Sequence, residues 1–374
     1  MENAAAFLTC RKLTDMDESA LPALMHQVLW AAFGLAVLFG AIAQRTRFCT
    51  MGAISDVYAM GDWRRARMWV LAIAVAVLAF NGMAVTGVVD PAGSIYTGPR
   101  LLWLSSVVGG LLFGFGMVLS SGCISRNLVR LGAGNLKSLV VLVVAAVAAG
   151  ATLRGITAVV RVATLEKVAV DLPSGQALPA LLGISPVVVA AVLGVALLAW
   201  VLKDRDGRSG EVWLAGLGVG GLIAGLWWVS GHLGFLPEDP RTLEPAYLAT
   251  NSRRMESLSA IAPIAYALDW LQMFSDASKT LTLGIVSVAG LVVGAALMSA
   301  FERSFRWEGF ANVNDLGVHL VGAVLMGVGG IVAMGCSIGQ GITGVSTLSL
   351  GSFIALAAMV VGALLALRWQ EWRA

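Results

Sequence analysis

Three segments of the chain each combine one cysteine with glycine and hydroxyl-bearing residues. They are residues 45–52, 120–127 and 334–341, and each one interrupts an apolar run. Inside a bilayer, irregular backbone is tolerated only where it is buried in protein or lines a polar cavity. The sequence therefore predicts short re-entrant helices around a cavity at these three breaks.

The chemistry of the breaks favours a soft anion. Free backbone N–H groups and the positive ends of short helices attract negative charge. A thiol adds a weak, polarizable donor that suits a soft sulfur atom better than a hard oxygen. The pattern thus predicts passage of a small sulfur-bearing anion, with the thiols as successive docking points. The competing interpretation is that each cysteine is a small apolar residue in a tight helix contact.

Residues beside the thiols complete the predicted site. Arg126 either attracts the anion or marks a cytoplasmic loop, and the sequence leaves both interpretations open. His232 and His319 at span ends are interpreted as structural groups, and Cys10 as an incidental thiol. The predicted substrate-binding residues are Cys49, Cys123, Cys336, Gly122, Gly335, Ser121, Arg126, Asn127 and Gln340.

The composition places these residues in a membrane protein. Of the 374 residues, 58% are hydrophobic and 13% charged, and the mean hydropathy is +0.84. A soluble chain carries about a quarter charged residues, so a soluble enzyme, a nucleic-acid binder and a disordered scaffold are excluded. Four cysteines without a CxxC motif and three histidines predict no disulfide framework, no metal site and no cofactor.

Nine apolar runs are long enough to cross a bilayer, which takes about 20 residues. Most Lys and Arg residues then fall in the loops on one side, which predicts an outside N-terminus and an inside C-terminus. Residues 261–273 predict a short helix on or in the membrane. The runs span residues 22–43, 68–89, 102–121, 138–160, 181–202, 212–230, 280–300, 317–334 and 349–368.

An internal repeat relates two of the cysteine breaks. A shift of 213 residues superimposes four glycines and Cys123 on four glycines and Cys336. The predicted topology runs the two copies in opposite directions, and such inverted repeats build membrane permeation pathways. We therefore expect an extramembrane segment at 1–21 and one transmembrane domain at 22–374, with inverted halves at about 22–160 and 212–368 joined by the span 181–202. The alternative is glycine-rich helix packing without functional meaning.

At these breaks the sequence resembles the YeeE/YedE family of bacterial inner-membrane proteins, whose characterised members are thiosulfate transporters. The resemblance is strongest at residues 47–49, 121–127 and 335–341. It implies an all-α, hourglass-like protein of about nine spans plus short re-entrant helices. It also implies that Cys123 is the central thiol, with Cys49 and Cys336 as the others, and that a small cytoplasmic sulfur-carrier protein is an optional partner.

The predicted function is therefore uptake of thiosulfate, or a closely related sulfur anion, across the inner membrane, without enzymatic activity. Two other classes stay open. One is a membrane sulfurtransferase that forms a persulfide on Cys123, which needs a lowered thiol pKa and a general base that the sequence does not reveal. The other is a membrane scaffold. A transporter of another sulfur-containing solute is a further alternative within the first class.

Overall fold

The computed structural model describes residues 21–239 and 242–373. The predicted segment 1–21, apart from Leu21, and Cys10 therefore lie outside the described residues. The chain is all-α. Its helices are α1 (Leu21–Arg45), α2 (Thr50–Met60), α3 (Arg64–Val85), α4 (Trp103–Leu119), α5 (Ile124–Gly132), α6 (Leu136–Arg154), α7 (Ile156–Ala163), α8 (Leu178–Leu182), α9 (Pro186–Leu202), α10 (Gly210–Trp228), α11 (Ile261–Gln272), α12 (Leu283–Phe301), α13 (Val313–Val332) and α14 (Leu350–Arg373).

Short elements close the loops between these helices. Two antiparallel pairs of two-residue strands join β1 (Arg100–Leu101) to β2 (Val170–Asp171) and β3 (Phe235–Leu236) to β4 (Ala246–Tyr247). A π-helix at Val229–Leu233 extends α10. A second π-helix, Gly339–Gly344, lies within the helical residues 337–346, which we call the π-containing helix.

Eight stretches of the described residues are long and apolar enough to cross a membrane. They contain α1, α3, α4, α6, α10, α12, α13 and α14. The predicted run at 181–202 is a shorter helix, α9, of 17 residues. At 1.5 Å per residue α9 is about 25 Å long.

The packing of α4 against α13 shows that α9 also crosses. Gly109 lies against Gly329, and Gly116 lies against Gly322, so the two helices are antiparallel. Three long helices, α6, α10 and α12, separate them along the chain. If α9 did not cross, the chain would reverse direction four times from α4 to α13, which would leave these two helices parallel. The described residues therefore cross the membrane nine times, which confirms the predicted number.

This alternation defines two faces. We call the face where α1 begins the N-terminal face, and the opposite face, where α14 ends, the C-terminal face. Helices α1 and α4 end toward the C-terminal face, whereas α13 ends toward the N-terminal face. The predicted short helix at 261–273 is α11 (Ile261–Gln272), and it leaves from the N-terminal side.

Two features of the structure differ from what the apolar runs indicate: one helix boundary and the position of one tryptophan. The run at 138–160 is not one helix, because α6 ends at Arg154 and Gly155 adopts an extended conformation (φ −104°, ψ −150°) before α7. Trp69, near the start of the predicted run at 68–89, does not lie at a membrane interface, because it is only 6% exposed and stacks on Phe48 with ring centroids 5.5 Å apart. Neither the length of an apolar run nor a tryptophan near its end reveals which face of the helix packs against protein.

Candidate functional site

The three cysteine breaks share one backbone geometry. Each has a residue with positive φ two positions before the cysteine: Arg47 (52°), Ser121 (54°) and Met334 (58°). The next N–H then bonds the carbonyl oxygen five residues back, which is the Schellman arrangement that ends a helix. These bonds are Phe48 to Ala43 (3.1 Å), Gly122 to Met117 (2.8 Å) and Gly335 to Gly330 (2.8 Å).

Each thiol follows its break at the start of a new helix. Cys49 is the N-cap of α2 and accepts a hydrogen bond from the Gly52 N–H at 3.3 Å. Cys123 is the N-cap of α5. Cys336 directly precedes the π-containing helix and accepts from the Gly339 N–H at 3.4 Å. All three thiols are free and buried. Because each lies at the start of a helix, it is next to backbone N–H groups that have no partner within that helix.

The starts of four short helices meet at these thiols. The Cys49 thiol lies near the Cys123 thiol, and the Thr50 hydroxyl of α2 is 4.0 Å from the Cys123 sulfur. The Ala260 N–H, at the start of α11, donates to the Cys336 sulfur at 3.4 Å. Positive helix ends therefore converge from both faces on one region, which favours an anion there.

Unpartnered donors surround the same region. Seven buried side-chain atoms make no hydrogen bond within the described part of the chain. Two of them, Arg126 Nη1 and Ser337 Oγ, belong to the breaks, and a third, Trp69 Nε1, belongs to the ring that stacks on Phe48 of the first break. The Arg126 guanidinium lies near both the Cys49 and Cys123 thiols, and Ser337 lies beside the Cys123 thiol. Buried donors are normally satisfied. Their grouping at the thiols thus indicates a place for an external acceptor.

Two of the predicted binding residues hold the breaks together. The Asn127 amide donates to the Gly122 and Cys123 carbonyl oxygens at 2.9 and 3.1 Å. The Gln340 amide donates to the Ala333 carbonyl oxygen at 2.6 Å and accepts from the Ser352 hydroxyl at 2.6 Å. Both side chains are buried, and their bonds fix the backbone on which the thiols are mounted.

The remaining predicted residues have different surroundings. Ser121 is exposed, and its carbonyl oxygen accepts from Arg130 Nη1 at 2.9 Å. At Gly122 a Cβ would lie 3.2 Å from Arg126 Cγ, and at Gly335 one would lie 3.0 Å from Gln340 Cγ. Both glycines therefore let the side chain that follows pack closely over the break.

The two histidines contact groups other than the thiols. His232 is exposed and lies over Trp228, with ring centroids 5.7 Å apart. His319 Nδ1 lies 2.8 Å from the Asp315 carbonyl oxygen. Arg65 forms an ion pair with Asp56 at 2.8 Å.

A cavity of about 250 Å³ adjoins the third break from the N-terminal face. Met334 and Gly335 line one side of it, and residues 256–263 line another. Among its polar residues are Tyr96, Ser259 and Glu256. Glu256 accepts from the Ser252 N–H at 2.8 Å and from the Ser252 hydroxyl. Of the residues that line it, sequence reasoning named only Gly335, because the others lie in loops and helices without a distinctive motif.

The family model for sulphur transport matches residues 45–365 of the chain, a range that contains all three breaks. The chain belongs to this family. The resemblance to YeeE/YedE proteins is thereby confirmed, and the protein is a multi-pass membrane transporter. The match covers the three breaks and the crossing helices from α3 to α14, with α14 in part, but only Arg45 of α1.

Two relatives that match nearly the whole chain are named as thiosulfate transporters, and a third matches a shorter stretch. The thiosulfate transporter TsuA of Spirochaeta thermophila is 25% identical over 350 residues, which cover 90% of this chain and 97% of that protein. The thiosulfate transporter TsuA of Escherichia coli is 26% identical over 351 residues, covering 90% and 93%. The probable transporter YedE of Salmonella typhimurium is 33% identical over 110 residues, covering 28% and 24%.

Proposed function

We propose that this protein takes up thiosulfate, or a closely related sulfur anion, through a central pathway on which cysteine thiols bind the anion in succession. The observation that carries the proposal is the meeting of four helix starts at Cys49, Cys123 and Cys336. The names of the full-length relatives support the choice of thiosulfate. Cysteine is not among the residues preferred at the start of a helix, yet it is found at three of these helix starts.

In this mechanism the anion passes between the two faces without forming a covalent bond. From the N-terminal face it reaches Cys336, then Cys123, which adjoins both Ser337 and Cys49. Arg126 Nη1, Ser337 Oγ and Trp69 Nε1 supply hydrogen bonds that the protein leaves open. Asn127 and Gln340 act as positioning residues because their amides are engaged with backbone at the breaks.

The proposed orientation places the N-terminal face outside and the C-terminal face in the cytoplasm of the bacterial cell. The positive-inside rule supports it, since Arg65, Arg126 and Arg130 belong to segments at the C-terminal face. A dianion moving inward against 100 mV requires about 4.6 kcal/mol. Consumption of the anion inside, by a sulfur-carrier protein among other acceptors, is the proposed driving force.

The sulfurtransferase alternative requires a group that removes the Cys123 proton. Ser125 Oγ is 3.2 Å from the Cys123 sulfur, and the Thr50 hydroxyl is 4.0 Å away. Both of these neighbours are hydroxyls, which are poor bases. They supply no group that removes the proton, so the proposal keeps Cys123 as a thiol that donates a hydrogen bond.

The test is uptake of labelled thiosulfate by cells that lack their other thiosulfate importers. We expect Cys123→Ala to abolish uptake, because Cys123 is central to the set, and Cys49→Ala and Cys336→Ala to reduce it at least tenfold. The membrane abundance of each variant is measured in parallel. Cys10→Ala is the matched control and should transport like the wild type.

Two results would contradict the proposal. One is equal uptake by all four variants at equal abundance. The other is a persulfide on Cys123, detected by mass spectrometry after turnover, which would favour the sulfurtransferase. Absence of thiosulfate uptake by the wild-type protein, with uptake of another sulfur compound, would replace the substrate and retain the pathway.

A further inference from the structure

Two hydroxyl groups converge on Gly339 in the cavity at the N-terminal face. Tyr96 is only 4% exposed, and its ring packs edge-on against Trp227, with ring centroids 6.3 Å apart. A Cβ at Gly339 would lie 3.5 Å from the Tyr96 hydroxyl and 2.7 Å from the Ser259 hydroxyl. Both residues line the 250 Å³ cavity.

Neither side-chain hydroxyl forms a hydrogen bond with any part of the chain that the structure describes. A phenol buried in this way normally has a partner. The neighbouring polar groups are already engaged: the Ser257 hydroxyl donates to the Ile223 carbonyl oxygen at 2.8 Å, and Arg161 pairs with Glu166. Tyr96 and Ser259 are therefore the two open donors that lie beside Gly339.

The same glycine connects the hydroxyls to the third thiol. The Gly339 N–H donates to the Cys336 sulfur at 3.4 Å, and the Ala260 N–H, next to Ser259 in the chain, donates to the same sulfur. The absence of a Cβ at Gly339 leaves the space between the hydroxyls open, since any larger residue would collide with Ser259. The hydroxyls and the thiol thus lie on adjoining parts of one surface.

We propose that Tyr96 and Ser259 form a separate anion-binding site that receives the oxygens of the substrate before its sulfur reaches Cys336. This inference rests on the proposed function and extends it to the point of access. Hydroxyl groups are strong donors that suit oxyanion oxygens, whereas the thiol suits the soft sulfur. The pair therefore orients the anion with its sulfur toward the pathway.

Orientation gives the site a selectivity that the thiols alone lack. Sulfate carries the same oxygens but no terminal sulfur, so it occupies the hydroxyl site and advances no further. External sulfate is accordingly a competitive inhibitor of thiosulfate uptake. The cavity of about 250 Å³ accommodates either anion with several water molecules, each of which takes about 30 Å³ in the liquid.

The experiment measures the concentration dependence of thiosulfate uptake in cells, with and without external sulfate, for Tyr96→Phe and Ser259→Ala. Each substitution removes one donor to a charged acceptor, so we expect KM to rise about tenfold and the inhibition constant of sulfate to rise in parallel. Tyr58→Phe is the matched control, because that hydroxyl donates to Glu371 at 2.7 Å on an exposed part of the protein. It should leave both constants unchanged.

The outcomes separate this site from the proposed function. If the wild type transports thiosulfate and Cys123→Ala does not, but Tyr96→Phe and Ser259→Ala keep the wild-type KM and sulfate inhibition, the hydroxyl site is wrong and the thiol pathway stands. A lower maximal rate with an unchanged KM would also overturn the site. If Tyr96→Phe fails to reach the membrane, the same measurement is made with Ser259→Ala alone, which is a smaller change in a loop. If the wild type transports no thiosulfate, the proposed function itself has failed.

Discussion

Cysteine is an unexpected residue at the start of a helix, because Ser, Thr, Asp and Asn satisfy the free N–H groups better. A serine at position 49 would accept the bond from the Gly52 N–H, now made at 3.3 Å by the thiol. Stability therefore gives no reason for sulfur at Cys49, Cys123 and Cys336. The proposed pathway supplies a reason, since a thiol can contact soft sulfur, and at Cys49 it still caps the helix.

Glu256 gives the cavity a charge that depends on pH. Its burial raises the pKa of the carboxyl group above the ordinary glutamate value, although hydrogen bonds from Ser252 partly oppose this shift. Above that pKa the carboxylate repels an incoming anion, and below it the neutral carboxyl group does not. We expect the KM for thiosulfate to fall as the external pH falls through this raised pKa. Uptake measured across acidic and neutral pH checks it.

Matched variants isolate that carboxyl group. Glu256→Gln keeps an acceptor for Ser252 and should give a low KM at every pH, whereas Glu238→Gln removes an exposed carboxylate and should keep the wild-type profile. The same pH profile in Glu256→Gln and in the wild type would show that another group titrates.

At the scale of helices, glycines bring α4 and α13 into backbone contact. A Cβ at Gly109 would lie 2.7 Å from the Gly329 carbonyl oxygen, and a Cβ at Gly322 would lie 2.7 Å from the Gly116 carbonyl oxygen. The shift of 213 residues converts the first contact into the second. The repeated glycines therefore pack the two copies on each other, which supports the proposal of inverted halves.

These contacts predict that α4 and α13 tolerate no larger residue at their crossing. In Gly116→Leu the side chain would collide with backbone of α13, and overpacking of this kind destabilises by about 1–3 kcal/mol or more. We expect a lower melting temperature of the detergent-purified protein and little protein in the membrane. Small residues at such crossings let helices approach closely.

The control for that substitution lies on α10. Gly221 is exposed and has no atom within 4 Å of a Cβ position, so Gly221→Leu makes the same change without a collision. We expect it to retain the wild-type melting temperature. Equal melting temperatures for both variants would show that the α4–α13 contact is looser than described.

The apolar runs and the repeat were readable from the sequence, whereas the shape of the breaks was not. Arg47, Ser121 and Met334 adopt the left-handed conformation that glycine usually supplies, so composition gave no signal for it. Trp69 stacks inside rather than at an interface. Contacts between distant segments decide both features, and no local pattern encodes such contacts.

For the molecule as a whole, the four short helices form a set with three thiols. α2, α5 and the π-containing helix each begin at a cysteine, while α11 begins after Ala260. At the fourth helix start it is a backbone group, the Ala260 N–H, that contacts Cys336. The N-terminal half thus holds two thiols and the C-terminal half one, with Tyr96 and Ser259 next to the single thiol.

The proposed orientation makes a prediction for the whole chain. Ser174 lies between α7 and α8 at the N-terminal face, and Lys203 follows α9 at the C-terminal face; both are exposed. In a background with Cys10→Ser, a membrane-impermeant maleimide should label Ser174→Cys in intact cells, because that face is outside. Lys203→Cys should be labelled only after the membrane is opened. Cys49, Cys123 and Cys336 are buried, so their thiols should give little background labelling. The reverse labelling pattern would place the hydroxyl site and its cavity on the cytoplasmic side, and the proposed path would then lead to export instead of uptake.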